Sequence, residues 1–88
     1  MDKARDIHYT SDFQKSYKRL PRSIQNIVDR KDTLFRENPF HSTLHTHKLH
    51  GPLDGFWSFW ITREYHVLFE FTKDHVIFYD IGTHKIYQ

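Results

Sequence analysis

The sequence predicts an α+β fold in which two N-terminal helices pack on one face of a small, twisted and mainly antiparallel β-sheet. Three observations support this prediction. The first half of the chain is polar with apolar residues at helical spacing, the second half holds three aromatic-rich segments with alternating pattern, and short turns join those segments. Because the alternation makes one sheet face more apolar, we expect helices to cover that face and leave the other partly open.

The N-terminal half contains a short predicted strand and two predicted helices. The strand covers residues 7–9, and the side-chain oxygens of residues 10–12 offer an N-cap for a first helix over residues 11–20. Pro21 breaks that helix and suits the first turn of the next one. The second helix ends at Asn38-Pro39, since the residue before proline is pushed away from helical dihedrals. The basic residues on both helices most simply form the solvent-exposed sides of these helices.

The C-terminal half contains three predicted strands, over residues 56–62, 65–71 and 75–81. The joins at 63–64 and 72–74 are hairpin turns in this interpretation. In the middle strand one face carries four apolar or aromatic residues and the other is more polar. The first set is Tyr65, Val67, Phe69 and Phe71, and the second is His66, Leu68 and Glu70.

Length and composition restrict the class of protein. At 88 residues the chain is expected to be a single domain over residues 1–88. It has no cysteine, which excludes disulfides and thiolate chemistry. The N-terminal segment is charged and no apolar run reaches the length of a membrane span, so we expect a cytoplasmic protein without membrane contact. A formal charge of +2 together with eight histidines suits an anionic partner.

Four of the histidines lie in residues 40–54, a predicted loop or irregular strand. They are His41, His45, His47 and His50. His45-x-His47 would place two imidazoles on one side of a strand, an arrangement that could bind zinc. Because cysteine and a compact His-Glu-x-x-His pattern are both missing, we expect no metal cofactor and interpret the segment as a surface loop of titratable residues.

Two further histidines are candidates for chemistry. His66 is expected in the centre of the middle strand on its more polar face, and His84 follows a turn over residues 80–83. The simplest interpretation is structural, a half-buried strand residue and a turn residue. The functional alternative is a metal-free acid–base site built from His, Glu and Tyr, because imidazole titrates near neutral pH. A glycine-rich phosphate loop and a Gly-x-Ser-x-Gly elbow are both missing from the sequence.

Four motifs in fixed order, followed by a terminal aromatic residue, resemble the C-terminal half of the RelE/ParE superfamily of toxins. They are Lys48-Leu49-His50-Gly51, Gly55-Phe56-Trp57-Ser58, Tyr65-His66-Val67-Leu68-Phe69 and Ile81-Gly82-Thr83-His84, with Tyr87 after them. The early helix pair, with Leu20-Pro21 and Asn38-Pro39, is also similar, so the resemblance covers nearly the whole chain. The Gly-Thr-His ending most resembles the YafQ-like and RelE/StbE branches.

The resemblance implies a toxin of a type II toxin–antitoxin pair that cleaves mRNA in the ribosomal A site without a metal. Its partners would be a cognate antitoxin, mRNA and the 70S ribosome. A base would help the ribose 2′-OH attack the adjacent phosphate, cations would stabilise the developing charge, and an acid would protonate the leaving 5′ oxygen. The catalytic residues implied by position are His47, Glu64, His66, His84 and Tyr87. The implied RNA-binding residues are Lys48, Trp57, Trp60, Arg63, Tyr65 and Lys85.

The sequence departs from the family pattern at several positions, and two alternatives stay open. The strand arginine of many relatives is His66 here, which lacks a bidentate guanidinium, and the lysine positions of RelE are Trp57 and Phe59, which could only stack on bases. The first alternative is a ParE-like toxin that poisons DNA gyrase, against which the implied catalytic set argues. The second is a catalytically silent toxin fold. An acidic, partly disordered antitoxin would fold on the open sheet face or the basic helices.

Overall fold

The computed structural model describes residues 6–88, so the first five residues of the charged N-terminal segment lie outside the description. Its regular elements follow one another in the predicted order. The strands are β1 Asp6–Tyr9, β2 His47–Lys48, β3 Trp57–Trp60, β4 His66–Phe71 and β5 His75–Gly82, and the helices are α1 Ser11–Arg19 and α2 Arg22–Glu37. Three short 3₁₀ helices cover Ser42–Leu44, Gly51–Leu53 and His84–Tyr87.

The five strands form one sheet in the order β1-β5-β4-β3-β2. The pairs β2–β3, β3–β4 and β4–β5 are antiparallel, whereas β1 runs parallel to β5 with Asp6 opposite His75. The predicted α+β architecture and its mainly antiparallel sheet are therefore confirmed. The predicted strand over residues 56–62 is shorter in the structure, ending at Trp60.

Local sequence signals set the helix ends. The Thr10 hydroxyl accepts a hydrogen bond from the Phe13 backbone N–H at 3.0 Å and caps α1, as its N-cap position predicts. Leu20, before Pro21, has extended dihedrals and ends α1. Asn38 has the same conformation before a second proline and ends α2. Within residues 6–88, no helix combines the length and the apolarity that crossing a membrane requires.

The core lies between the helices and one side of the sheet, which we call the inner face; the opposite side is the outer face. Phe35 of α2 is fully buried at its centre. Its ring centroid lies 4.9 Å from that of Phe59, 5.2 Å from Phe69 and 5.3 Å from Phe78. Rings from three strands thus converge on one helix residue, and the helices cover a single sheet face as the strand alternation predicts.

Three placements differ from the sequence predictions. His66 begins β4 rather than lying at its centre, because the Thr62 hydroxyl accepts the backbone N–H groups of residues 64 and 65 and holds them in a turn. His84 opens the last 3₁₀ helix, since β5 continues through Gly82, which pairs with His66. His45 is not a strand residue. It ends the first 3₁₀ helix in the left-handed conformation, with φ 51° and ψ 38°, so it does not share a strand side with His47.

Candidate functional site

Cross-strand register collects several of the predicted site residues on the outer face. Trp60 pairs with His66, and Ser58 pairs with His47. Paired residues share a sheet face with their Cβ atoms about 5 Å apart. Phe59, between Ser58 and Trp60, is 1% exposed in the core, so its two neighbours point outward.

A hydrogen-bonded chain runs across this face. The hydroxyl of Tyr87, in the last 3₁₀ helix, is hydrogen-bonded to the Ser58 hydroxyl and lies 3.1 Å from His66 Nδ1. His66 Nε2 lies 3.0 Å from the Arg63 carbonyl oxygen. A carbonyl only accepts, so Nε2 donates; in the neutral ring Nδ1 then accepts the Tyr87 proton, and Ser58 donates to Tyr87. Both ring nitrogens of His66 are engaged, and His66 therefore holds Tyr87 in place.

Burial controls the ionisation of the Tyr87 phenol. Ser58 is fully buried beneath the last 3₁₀ helix. Burial of Tyr87 raises the pKa of its phenol, and the hydrogen bond from Ser58 offsets part of that rise. The phenol therefore stays protonated at neutral pH and keeps its hydrogen-bond donor.

Gly82 makes the close approach of the last 3₁₀ helix possible. A Cβ atom built at Gly82 would lie 2.9 Å from Ile86 Cγ2, closer than carbon atoms pack. Ile86 stands one residue before Tyr87, whose hydroxyl reaches the sheet. A glycine at this position thus lets the helix fold flat over the strand ends.

Aromatic rings form a row that continues this chain across the sheet. Ring centroids are 4.0 Å apart for His45 and Trp60, 5.7 Å for Trp60 and His66, and 6.1 Å for His66 and Tyr87. Trp60 is in contact with both histidines, and His66 is its partner in the β3–β4 register. We call these four rings the aromatic row. Its Tyr87 end is half-buried, and its His45 end is exposed.

His47 has a defined tautomer beside this row. Its Nδ1 lies 2.7 Å from the His45 carbonyl oxygen and must donate to it, which leaves the Nε2 lone pair of the neutral ring free. The side chain is exposed and lies next to Ser58 in the strand register. The Ser58–Tyr87 hydrogen bond consequently joins the strand beside His47 to the 3₁₀ helix that carries His84.

A groove of about 740 Å³ opens where β4, β5 and the last 3₁₀ helix meet. Its lining residues are Arg63, Glu64, His66, Thr83, His84 and Lys85. His84 and Glu64 are exposed in it, as are the cationic Arg63 and Lys85. Groups able to transfer a proton and groups able to bind an anion therefore share one groove. Within residues 6–88, no three histidine or acidic side chains cluster closely enough to hold a metal ion.

Three predicted RNA-binding residues lie elsewhere. Trp57 is on the inner face, with its ring centroid 5.0 Å from that of Phe71, and Lys48 Nζ lies 5.6 Å above the Trp57 ring. Tyr65 packs against the core, and Phe59 is buried within it and cannot stack on a base. Strand alternation is the physical reason, because these positions are one residue out of phase with the outer-face set.

Sequence reasoning did not identify two residues of the site. In the sequence Ser58 stands out only as part of a family motif, although strand alternation places it on the same face as Trp60. The sequence favours a loop position for His45, and its ring contact with Trp60 carries no local sequence signal.

Comparison with known proteins gives consistent matches. Residues 5–87 match the family described as a bacterial toxin of type II toxin–antitoxin systems, YafQ. No curated protein matches the sequence significantly. The crystal structure of YafQ from Escherichia coli strain BL21(DE3) is similar with a TM-score of 0.78 and 21% identity, covering 94% of this chain and 97% of that one.

Two solved toxin–antitoxin complexes are similar as well. The E. coli DinJ–YafQ complex gives a TM-score of 0.75 at 22% identity, covering 93% of this chain and 94% of the matched one. The RelBE2 complex from Mycobacterium tuberculosis gives 0.76 at 16% identity, covering 91% and 98%. These structures establish the fold, while the match over residues 5–87 establishes membership. The chain belongs to the YafQ family of bacterial toxins of type II toxin–antitoxin systems.

Proposed function

We propose that this toxin is a metal-free endoribonuclease that cleaves mRNA in the ribosomal A site and is held inactive by a cognate antitoxin. The observation that carries the proposal is the outer-face groove, where an exposed histidine and glutamate lie with two cations beside the Ser58–Tyr87–His66 chain. DinJ bound to the similar YafQ supports the antitoxin as a partner. With mRNA and the 70S ribosome as its other partners, the protein would act in the cytoplasm.

The chemistry needs a base, an acid and positive charge around one phosphate. In the proposed reaction, the free Nε2 of His47 takes the proton of the ribose 2′-OH as the 2′ oxygen bonds to phosphorus. The bond from phosphorus to the 5′ oxygen breaks, and protonated His84 donates a proton to that leaving oxygen. The products are a 2′,3′-cyclic phosphate and a 5′-hydroxyl.

Charges and donors around the groove support the same reaction. Arg63 and Lys85 would stabilise the negative charge that develops on the phosphate. Tyr87 donates its proton to His66 and accepts one from Ser58, so we assign it the role of holding the last 3₁₀ helix, which carries His84, against the sheet. Since both nitrogens of His66 are engaged, we assign His66 the role of positioning Tyr87 and not that of a substitute for the family arginine.

The proposal is tested by primer extension on a reporter mRNA in a translation system reconstituted from purified components. Wild type is expected to produce discrete in-frame cuts, and His84→Ala is expected to slow them about 100-fold, the scale of losing one proton-transfer group. His8→Ala is the matched control, because His8 is an exposed histidine on β1 at the far edge of the sheet.

The outcomes separate the possible functions. Cuts that persist at full rate in His84→Ala would keep the ribonuclease and remove His84 from its mechanism. Complete absence of cuts by folded wild type would overturn the proposal and favour a toxin that acts by binding alone, such as on DNA gyrase.

A further inference from the structure

His45 is the exposed end of the aromatic row and is held there by two separate contacts. One side of its imidazole stacks on Trp60, with ring centroids 4.0 Å apart and planes inclined by 29°. Its backbone N–H donates to the Ser42 carbonyl at 3.3 Å and so caps the first 3₁₀ helix. The ring is therefore fixed in orientation although the residue is exposed.

The backbone of His45 is unusual. It is the one residue other than glycine with positive φ within residues 6–88. Such a conformation is uncommon for residues with a side chain. Residues that are held in it by their surroundings cluster at functional sites. Here it turns the His45 carbonyl toward His47 Nδ1 at 2.7 Å while the ring covers Trp60. One residue thus sets both the free ring surface and the tautomer of the neighbouring histidine.

We propose that the free side of the His45 ring stacks on a nucleobase of the bound RNA, which extends the aromatic row by one ring. This inference rests on the proposed function and deepens it. Stacking on an aromatic side chain suits any base, because every base has a π face. A base seated there would bring its own ribose toward the free Nε2 of His47, two residues along the chain.

The surroundings of His45 favour a base over an apolar side chain of a protein partner. Its chain neighbours Thr43, Thr46 and His47 are polar, and Thr43 and His47 are exposed. An apolar side chain placed on the ring would bury these groups without hydrogen bonds, at a cost in free energy. A nucleobase carries donors and acceptors on its edges, which can hydrogen-bond to these polar groups of the protein.

The test is a double-mutant cycle in binding affinity, which combines a substitution in the protein with an abasic site in the RNA. The probe is a short single-stranded 2′-O-methyl oligoribonucleotide, which cannot be cleaved because it lacks the attacking 2′-OH. A matched series has one abasic site moved along the strand. The protein variant is His45→Asn, since asparagine tolerates the left-handed backbone conformation but lacks the ring. His50→Asn, at an exposed histidine of the same segment, is the control.

Wild type and His50→Asn are expected to lose about tenfold in affinity at one abasic position, the scale of a single base stack. His45→Asn is expected to bind the intact probe about tenfold more weakly and to show almost no further loss at that position. A merely structural role would weaken every probe by the same factor, so equal loss in both proteins at every position would overturn the inference. Wild type that binds no probe would overturn it as well.

The cleavage assay keeps this result distinct from the proposed function. In-frame cuts by wild type, combined with no coupling between His45 and any base, would refute the stack and leave the ribonuclease. Coupling without cuts would support the stack and refute the ribonuclease.

Discussion

The two faces of the sheet are built from the same strands by different physics. On the inner face, phenylalanine rings from three strands pack around Phe35 through contacts that have no donor or acceptor. On the outer face, Ser58, His66 and Tyr87 are joined by hydrogen bonds whose partners are specific. Alternation along β3 separates the two, since adjacent residues point to opposite sides.

The difference predicts which substitutions affect the whole fold and which affect mainly the site. Apolar packing is non-directional, and the removal of the phenylalanine rings from water is the main favourable contribution to folding. The inner face therefore determines the stability of the protein. A hydrogen-bonded chain depends on each member, because removing one leaves a buried donor or acceptor unpaired. Changes on the inner face should therefore act on the whole fold, whereas changes on the outer face should act on the site with smaller effects on stability.

The largest effect is expected from Phe35→Ala. Phe35 is fully buried, and removing its ring leaves a cavity that should lower the free energy of unfolding by about 3–5 kcal/mol. Phe40→Ala is the matched control, because Phe40 is 59% exposed and should lose less than about 1 kcal/mol. Urea denaturation measures both, and equal losses for the two variants would contradict the assignment of the core to the inner face.

An intermediate effect is expected from Gly82→Ala. The added methyl group would lie 2.9 Å from Ile86 Cγ2 and displace the last 3₁₀ helix, at a cost of about 1–3 kcal/mol. The Tyr87 hydroxyl should then separate from Ser58, and the proposed mRNA cleavage should fall. The second-site variant Gly82→Ala/Ile86→Ala removes the clash and should recover part of both losses. Failure of that rescue would show that the glycine is needed for another reason.

The smallest effect is expected from Tyr87→Phe, and it depends on pH. At neutral pH the variant loses the hydrogen bonds to Ser58 and His66, about 1–2 kcal/mol. Burial raises the pKa of the folded phenol above its ordinary value of 10.0, so the unfolded chain releases this proton first and wild type loses stability as the pH rises above 10.

The variant has no phenol at this position, so its stability disadvantage should shrink above pH 10. The other tyrosines are common to both proteins and cancel in the difference. Urea denaturation from pH 7 to above pH 10 measures this difference, and a constant gap across that range would contradict the assignment of a buried, protonated Tyr87.

Much of the inner face was predictable from sequence because its signals are local. Helical spacing and the two X-Pro steps located α1 and α2, and alternation located three strands to within a few residues. The parallel pairing of β1 with β5 was not predicted, since strand order depends on contacts between distant segments.

The outer face was only partly predictable. Motif resemblance identified His47, Glu64, His66, His84 and Tyr87, and the structure brings Glu64, His66 and His84 into one groove. The roles assigned to these residues stay predictions. The resemblance implies an RNA-binding role for both Trp57 and Trp60, although strand alternation places them on opposite faces of the sheet. The Ser58–Tyr87 bond spans 29 residues, a distance over which no local pattern carries information.

The pairing of β1 with β5 has a consequence for timing. Asp6 cannot pair with His75 until all the elements between them have been synthesised, and such distant pairings form slowly. Tyr87, which completes the hydrogen-bonded chain, comes later still. A nascent chain therefore lacks both the β1–β5 pair and the assembled groove until translation has passed Tyr87.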